Sequence, residues 1–158
     1  MPVLQNTSGN AADVFPLKLE IPAISVNATI QSVGLKSNGS IGTPNNYTDA
    51  AWFNLSPEPG AVGTAIITGH LDTKLSPYAV FFNLDKLKPG DEIRIINSNG
   101  QEAQFKVTGS KIYNYLSDPV ELFEQTDKKR IALITCTGNW LENEKTYDQR
   151  LVVFGEMN

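Results

Sequence analysis

The 158-residue chain is poor in two reactive residue types, with one cysteine and one histidine. A single cysteine cannot form a disulfide within the chain, so its thiol is either buried filler or chemically active. The chain has no run of about eighteen apolar residues, the length that a membrane-spanning helix needs. Its first fifteen residues lack the basic start and apolar centre of a signal peptide. The sequence therefore predicts one globular domain with a thiol that needs an explanation.

Positive charge is also scarce. Lys and Arg number 13 against 17 Asp and Glu, for a formal net charge of -4. This balance gives no electrostatic reason to expect nucleic-acid binding, which depends on a basic surface patch. The acidic residues are scattered and form no calcium loop of the EF-hand type. We therefore expect no nucleic-acid partner, no metal and no cofactor.

Short runs rich in β-branched and aromatic residues recur along the chain, separated by Gly, Pro, Asn and Asp clusters. This spacing predicts an all-β sandwich or barrel and not βαβ units. The stretch EIRIINSNGQEAQFKV predicts a hairpin, because Asn99 and Gly100 tolerate positive φ. A long connection is expected at TPNNYTDAAWFNLSPEPGAVG, pinned to the sheet by Trp52 and Phe53. The candidate strands are Leu17–Ile21, Ala28–Val33, Ala65–Thr68, Glu92–Asn97, Ala103–Tyr113, Ile131–Cys136 and Leu151–Gly155.

Helical signal is limited to two short segments. Ser76–Leu87 begins with Ser-Pro and has apolar residues at near-helical spacing. In Asp118–Gln125, Asp118 can cap the helix and Pro119 can occupy its first position. The chain is therefore expected to add one or two short helices to its strands.

Three residues with complementary chemistry lie at the edges of predicted strands. His70 closes TAIITGH, Cys136 closes IALITC, and Arg150 opens RLVVFGE after a loop of thirteen residues. A thiol with a pKa of about 8.5 is mostly protonated at neutral pH, so a nucleophilic cysteine needs a base or cation nearby. His70 can exchange the proton, whereas Arg150 can only donate hydrogen bonds to a substrate carbonyl or an oxyanion. A rim of loops on a rigid sheet is the usual place for such a site.

Each of these residues also has a plain structural explanation. A lone cysteine in an apolar strand can be small core filler. A histidine after glycine can be a turn residue, and an arginine before an apolar strand can be an edge charge that limits aggregation. Their joint pattern, and not any one of them, favours a catalytic site.

The segment ALITC resembles the T-L-x-T-C signature of the sortases, cysteine transpeptidases of Gram-positive cell surfaces, with Ala132 in place of the first Thr. TGHLDT resembles the segment that carries the catalytic histidine of that family, and YDQRLVVFGE resembles the segment with its essential arginine. The resemblance extends from about Phe15 to Glu156. GHLDTKLSPYAVFFNLDKLKPGD is similar to class F sortases in particular, whose histidine segment is followed by an A-V-F-x-x-L run and a Gly-Asp turn.

The resemblance implies an all-β fold, a closed eight-stranded barrel that forms a catalytic domain over residues 15–158. Residues 1–14 would be a flexible lead-in, left where an N-terminal membrane anchor has been removed. The domain would lie on the extracellular face of a Gram-positive membrane and act as a monomer. Its partners would be surface proteins with a C-terminal Leu-Pro-x-Thr-Gly-like signal. The acceptor would be an amine of a peptidoglycan precursor or of a pilin.

The resemblance also implies roles for the three candidate residues. Cys136 would attack the carbonyl of the signal's Thr, His70 would protonate the leaving Gly amine, and Arg150 would stabilise the oxyanion and position the peptide. The resulting thioester would then be attacked by the acceptor amine. The active thiolate and imidazolium pair would be a minor species at neutral pH, because the unperturbed pKa values of about 8.5 and 6.5 lie in the wrong order.

The substrate groove is expected to include Thr68, Thr135, Val120 and Leu122. Val120 and Leu122 lie in the loop that precedes the cysteine strand. They either face the Leu and Pro of the signal or are core contacts of a short helix. Two other functions stay open from the sequence: a cysteine peptidase that only hydrolyses, and a non-catalytic β-barrel adhesion module with an unreactive thiol.

Overall fold

The structure is a computed structural model that describes residues 14–72, 78–117 and 119–158. Eight strands in these residues form a closed barrel in the order β1-β2-β3-β4-β7-β8-β6-β5, with β1 also paired to β5. This confirms the predicted all-β, closed eight-stranded barrel. The strands are β1 Pro16–Ile21, β2 Val26–Val33, β3 Ala50–Phe53, β4 Gly63–Thr68, β5 Glu92–Asn97, β6 Glu102–Asn114, β7 Lys129–Leu141 and β8 Thr146–Glu156.

Two of the strand pairs are parallel, β2 with β3 and β4 with β7. Parallel strands run in the same direction, so their C-terminal ends meet at the same edge of a sheet. In β4 and β7 the register places Thr68 beside Ile134. The residues that follow on both strands are therefore brought to one place on the barrel.

Apolar residues fill the barrel interior because side chains alternate between the two faces of each strand. β5 follows this alternation, and its Ile93 and Ile95 are fully buried. A smaller apolar cluster lies on the outer face of the barrel. Each fully buried aliphatic side chain stabilises the fold by roughly 1.5–3 kcal/mol. The outer cluster consists of Phe53, Ile66, Leu122, Ala132, Val152 and Phe154.

The β5–β6 hairpin predicted around Asn99 and Gly100 is confirmed, with Glu92 paired to Lys106. Gly100 has a φ of 86° in its turn. The long connection expected before β4 is only partly correct, since it contains β3. The first two residues of β3, Ala50 and Ala51, are fully buried between β2 and β4. Four residues with two alanines carry little strand signal of their own, and the pairing with both neighbours supplies the stability.

The prediction of a thirteen-residue loop after the cysteine is wrong. β7 and β8 both continue into this stretch, and a short turn joins them, with Lys145 at a φ of 55°. The rings of Trp140 and Tyr147 pack edge to face across the two strands, 5.2 Å between centroids. This cross-strand contact stabilises the β7–β8 hairpin near its turn, where the sequence has no alternation of apolar residues that would predict a strand.

The helical expectation is only partly met, because the described residues contain three single-turn 3-10 helices, at Pro22–Ile24, Leu84–Lys86 and Val120–Leu122. Within the described residues, the predicted helix Ser76–Leu87 is reduced to the turn at Leu84–Lys86. The predicted helix Asp118–Gln125 is reduced to the turn at Val120–Leu122. Residues 76, 77 and 118 lie outside the described residues, as do residues 1–13 of the expected lead-in. Phe81 and Leu84 are buried in the barrel interior, and this packing determines the local backbone conformation more strongly than helix propensity does. None of these helices is long and apolar enough to cross a membrane.

Candidate active site

Cys136 and Arg150 are direct cross-strand partners in the antiparallel pair of β7 and β8. They therefore lie within long strands and not at strand ends, which corrects the expected placement. Ala132 and Val152 belong to the outer apolar cluster. Because side chains repeat every second residue on one face, Cys136 and Arg150 share that outer face. The thiol and the guanidinium thus meet through ordinary strand register.

His70 follows β4 and reaches the same place through a continuation of the parallel ladder. The Gly69 N–H donates to the carbonyl of Ile134 at 3.1 Å, and the Thr135 hydroxyl donates to the carbonyl of Gly69 at 2.8 Å. These bonds extend the β4–β7 pairing past the end of β4, so that His70 comes level with Cys136 and both residues line one groove. A Cβ atom at Gly69 would lie 2.6 Å from the ring of Phe81, which explains glycine before the histidine.

The imidazole of His70 is held by contacts from the β2–β3 connection. Its Nε2 lies 2.8 Å from the carbonyl oxygen of Pro44. A carbonyl oxygen only accepts, so this bond requires the proton on Nε2. The ring of Tyr47 packs against the imidazole at 5.1 Å between centroids. Nδ1 is then the ring nitrogen available to exchange a proton with a substrate.

The guanidinium of Arg150 is anchored to its own strand. It donates to the carbonyl oxygens of Tyr147 at 2.9 Å and Gln149 at 3.0 Å, and to the hydroxyl of Thr146 at 3.0 Å. The guanidinium also lies 5.9 Å from the ring centroid of Tyr115. Those three bonds engage three of the five N–H groups of an arginine. Two N–H groups are left to donate to a substrate oxygen.

The electrostatic surroundings of the thiol set its protonation. Burial raises the pKa of Cys136, because a charged thiolate loses hydration there. The Arg150 guanidinium lowers this pKa, the Asp72 carboxylate raises it, and the Lys36 ammonium lowers it, in that order of size. The net pKa is raised, so the thiolate is a minor species at neutral pH.

A second polar contact, which the sequence analysis missed, lies beside the thiol. The hydroxyl of Tyr147 donates to Oδ2 of Asp72. This bond, with smaller effects from burial and from the charges of Asp72 and Cys136, raises the pKa of Tyr147 to about 12. Tyr147 is therefore a permanent donor at neutral pH. The position of Asp72 two residues after His70 was visible in TGHLDT, but its contact with Tyr147 was not.

These residues line one groove of about 880 Å³ on the outer face of the barrel. Register along β7 and β8 divides the groove at Cys136. One part, here called the apolar end, consists of Phe53, Tyr113, Leu122, Ile134 and Val152. The other part, here called the polar end, consists of His70, Asp72, Lys145, Thr146, Tyr147 and Arg150.

The structure brings three of the four expected groove residues to this site. Leu122 is 2% exposed and lies in the apolar end, as both a core residue and a wall of the groove. Thr68 and Thr135 also line the groove, but their hydroxyls donate to backbone carbonyls at 2.9 and 2.8 Å. Val120 is 70% exposed and lies outside the groove lining. The two threonines thus hold the backbone around the groove in place, and Val120 does not line the groove.

No group of three or more His, Cys, Asp or Glu side chains within the described ranges is arranged to hold a metal ion. The described groove residues include a thiol, an imidazole, a guanidinium and one carboxylate. Together they can support nucleophilic attack on a carbonyl, proton exchange and stabilisation of an oxyanion.

Comparison with known proteins connects the chain to one family. A family model described as "Sortase domain" matches residues 19–158. The search of curated proteins gives no match. Many solved structures are similar, among them the Group B Streptococcus Pilus Island 1 sortase C2, with a TM-score of 0.66 and 22% identity over 89% of this chain and 72% of that one.

Two further structures show the same similarity. Sortase C from Clostridium perfringens SM101 has a TM-score of 0.66 and 21% identity over 90% of this chain and 70% of that one. A lid mutant of sortase A from Corynebacterium diphtheriae has a TM-score of 0.71 and 23% identity over 98% of this chain and 76% of that one. At these identities the structures establish a shared fold.

Proposed function

The chain belongs to the sortase family of cysteine transpeptidases, and from this premise we propose that it cleaves a Leu-Pro-x-Thr-Gly-like sorting signal between Thr and Gly and transfers the surface protein to an amine. One observation supports this proposal most directly. The thiol of Cys136, the imidazole of His70 and the guanidinium of Arg150 line a single groove. Its volume of about 880 Å³ suits a short peptide segment.

In the first step of the proposed reaction, the Cys136 thiolate attacks the carbonyl carbon of Thr and forms a C–S bond. The two remaining N–H groups of Arg150 stabilise the oxyanion, a contribution of roughly 2.7–4 kcal/mol for a well-placed donor. The imidazolium of His70 gives its proton to the Gly nitrogen as the C–N bond breaks. A thioester and a neutral imidazole result.

In the second step, the nitrogen of the acceptor amine bonds to the thioester carbon, and the C–S bond breaks. The electron pair returns to the sulfur of Cys136 as thiolate, and one amine proton passes to His70. An acceptor that arrives as an ammonium loses its further proton to solvent. The enzyme is restored to thiolate and imidazolium, the same minor species that began the cycle, and turnover is therefore slow.

The two ends of the groove suit the two sides of the scissile bond. Tyr113 and Ile134 offer partly exposed side chains, above the buried Leu122 and Val152, for the Leu and Pro of a signal. The leaving Gly, and later the acceptor amine, would occupy the polar end beside His70. The acceptor would be an amine of a peptidoglycan precursor or of a pilin.

The proposal extends to subclass and location. The A-V-F-x-x-L run and the Gly-Asp turn after His70 support class F. Substrates would be surface proteins of a Gram-positive bacterium, and the domain would act as a monomer outside the cell membrane, with no metal or cofactor. An N-terminal anchor would hold it there.

The test is a trapping experiment with a labelled Leu-Pro-x-Thr-Gly peptide. Mass spectrometry should show an adduct on wild-type protein whose mass corresponds to the acyl portion through Thr. Addition of glycinamide should release a ligated peptide. An adduct that yields only the free acid in the presence of the amine would identify a hydrolytic peptidase. Absence of any adduct, together with a thiol that iodoacetamide does not label in the folded protein, would favour the non-catalytic module.

A further inference from the structure

The polar end of the groove contains one feature that the proposed reaction has not used. Asp72 is the one carboxylate among the described residues that line the groove. The other charged residues of the lining are the cations Lys36, Lys145 and Arg150. Lys145 is paired with Glu142 at 3.1 Å. A cationic group that enters this groove is therefore repelled mainly by Lys36 and Arg150 and attracted by Asp72. Asp72 is where such a group would bind.

The Asp72 carboxylate is held in place from β8. Its Oδ2 accepts the Tyr147 hydroxyl, and the Tyr147 ring packs edge to face on Trp140 at 5.2 Å. The Tyr147 carbonyl accepts from Arg150 at 2.9 Å. One residue thus connects the carboxylate to the guanidinium. A carboxylate offers about four lone-pair positions, so the tyrosine bond leaves room for an ammonium donor.

Asp72 also lies close to the reacting atoms. It follows His70 by two residues, and its charge acts on the thiol of Cys136. In the transfer step the acceptor nitrogen must stand next to both the thioester carbon and the imidazole. An ammonium bound to Asp72 is held beside this position, and it loses one proton to solvent before its nitrogen attacks the thioester carbon.

We infer that the Asp72 carboxylate binds the ammonium group of the amine acceptor, and that Tyr147 is the positioning residue that holds this carboxylate toward the groove. The inference rests on the proposed function, because it assigns the acceptor site of that reaction. It names the acceptor's chemistry as a primary ammonium, which a glycine α-amine and a lysine ε-amine share. A purely structural tie between Asp72 and Tyr147 would predict no preference among acceptors.

The test compares two acceptors on the same thioester. Glycinamide arrives largely as an ammonium, whereas hydroxylamine is uncharged at neutral pH. Both attack one acyl-enzyme, so the acylation rate and the basicity of the thiol cancel in the ratio of the two products. Asp72→Asn keeps the size of the side chain and removes its charge. We expect this variant to lower the ratio of glycinamide product to hydroxylamine product about tenfold, the effect of losing a hydrogen bond to a charged group.

Matched variants separate this role from a structural one. Asp72→Glu restores the charge and should keep the ratio within about threefold of wild type. Tyr147→Phe keeps the charge of Asp72 but removes the hydrogen bond that holds this carboxylate in place. It should lower the ratio by less than Asp72→Asn does. Asp85→Asn removes an exposed charge outside the groove lining and should leave the ratio unchanged. An unchanged ratio in Asp72→Asn, or an equal fall in Asp85→Asn, overturns the inference.

Wild-type protein provides a second measurement if Asp72→Asn fails to fold. Acetamidinium is a cation that does not attack thioesters at neutral pH. It should inhibit transfer to glycinamide in competition with the acceptor, and inhibit transfer to hydroxylamine much less. Equal inhibition of both transfers overturns the inference. Failure of the wild type to form any thioester is a different result, since it overturns the proposed function itself.

Discussion

The two ends of the groove are built by different physical means on the same pair of strands. The apolar end is an extension of packing, in which Leu122 and Val152 belong to the outer cluster and Ile134 packs against it. The polar end is an arrangement of hydrogen bonds and charges around Arg150 and Tyr147. Cys136 lies where the two meet. A strand pair can thus present shape on one side of a nucleophile and charge on the other.

The difference between the two ends separates their contributions to stability and to reaction rate. Apolar packing depends little on pH or salt, and its loss is felt as stability. Charged contacts at a partly exposed site contribute little to stability, but they act directly on developing charge in a reaction. Substitutions at the apolar end should therefore lower the melting temperature, and substitutions at the polar end should lower rates.

The largest effect is expected at the boundary between the two ends. Cys136→Ala removes the nucleophile and should lower thioester formation by at least about 10⁴-fold, below detection in the trapping experiment. The thiol is only partly buried, so thermal unfolding should stay nearly the same. The adduct is measured by mass spectrometry and unfolding by circular dichroism. Retained cleavage of the signal peptide by this variant would remove Cys136 from the mechanism.

Arg150→Gln tests the polar end. It removes the donors for the oxyanion, and we expect acylation to slow by about 10²–10³-fold. Arg94→Gln is the matched control, because Arg94 pairs with Glu20 and Glu92 on the surface, outside the groove lining. The control should acylate at the wild-type rate. Rates come from release of the Gly-containing fragment, and equal losses in both variants would contradict a specific role for Arg150.

Leu122→Ala and Val120→Ala test the apolar end from one short turn. Leu122 is 2% exposed and packs in the outer cluster, so its truncation should cost about 2–4 kcal/mol of unfolding free energy. Val120 is 70% exposed, and its truncation should change stability by less than about 0.5 kcal/mol. Denaturant unfolding measures both. Similar losses in the two variants would mean that the turn is not organised around Leu122.

Much of the barrel could be predicted from the sequence, because most strands carry their own apolar alternation. The β5–β6 hairpin is an example, with a turn glycine between two alternating runs. β3 carries no such pattern and is stabilised by its two neighbours. The predicted Ser76–Leu87 helix had the opposite problem. Its apolar spacing fits a helix, but Phe81 and Leu84 are buried in the barrel interior, with only one 3-10 turn in the described residues.

The candidate site shows the same limit. Cys136, His70 and Arg150 could be selected because each is chemically distinctive and follows or opens an apolar run. Their meeting depends on strand register, which pairs Cys136 with Arg150 across the very stretch expected to be a loop. Asp72 and Tyr147 are 75 residues apart, and no local sequence pattern around either residue predicts their contact. Contacts of this kind are set by the fold as a whole and not by a local pattern.

The smallest expected effect is a shift in the titration of the thiol. Asp72→Asn removes an anion that disfavours the thiolate, so the pKa of Cys136 should fall and alkylation should begin at lower pH. Lys36→Met removes a cation and should raise the pKa, by less, because Lys36 has the smallest of the four effects on this thiol. The rate of iodoacetamide labelling across pH measures both shifts. Asp85→Asn serves as the control with no expected shift.

The two variants move the pKa of the same thiol in opposite directions, so their difference isolates charge from any loss of packing. A loosened groove would expose the thiol in both variants, reduce its desolvation and lower the pKa in each. Opposite shifts would show that the polar end acts on Cys136 through charge, as the contrast with the apolar end requires. Shifts of the same sign would mean that packing, and not charge, governs both ends of the groove.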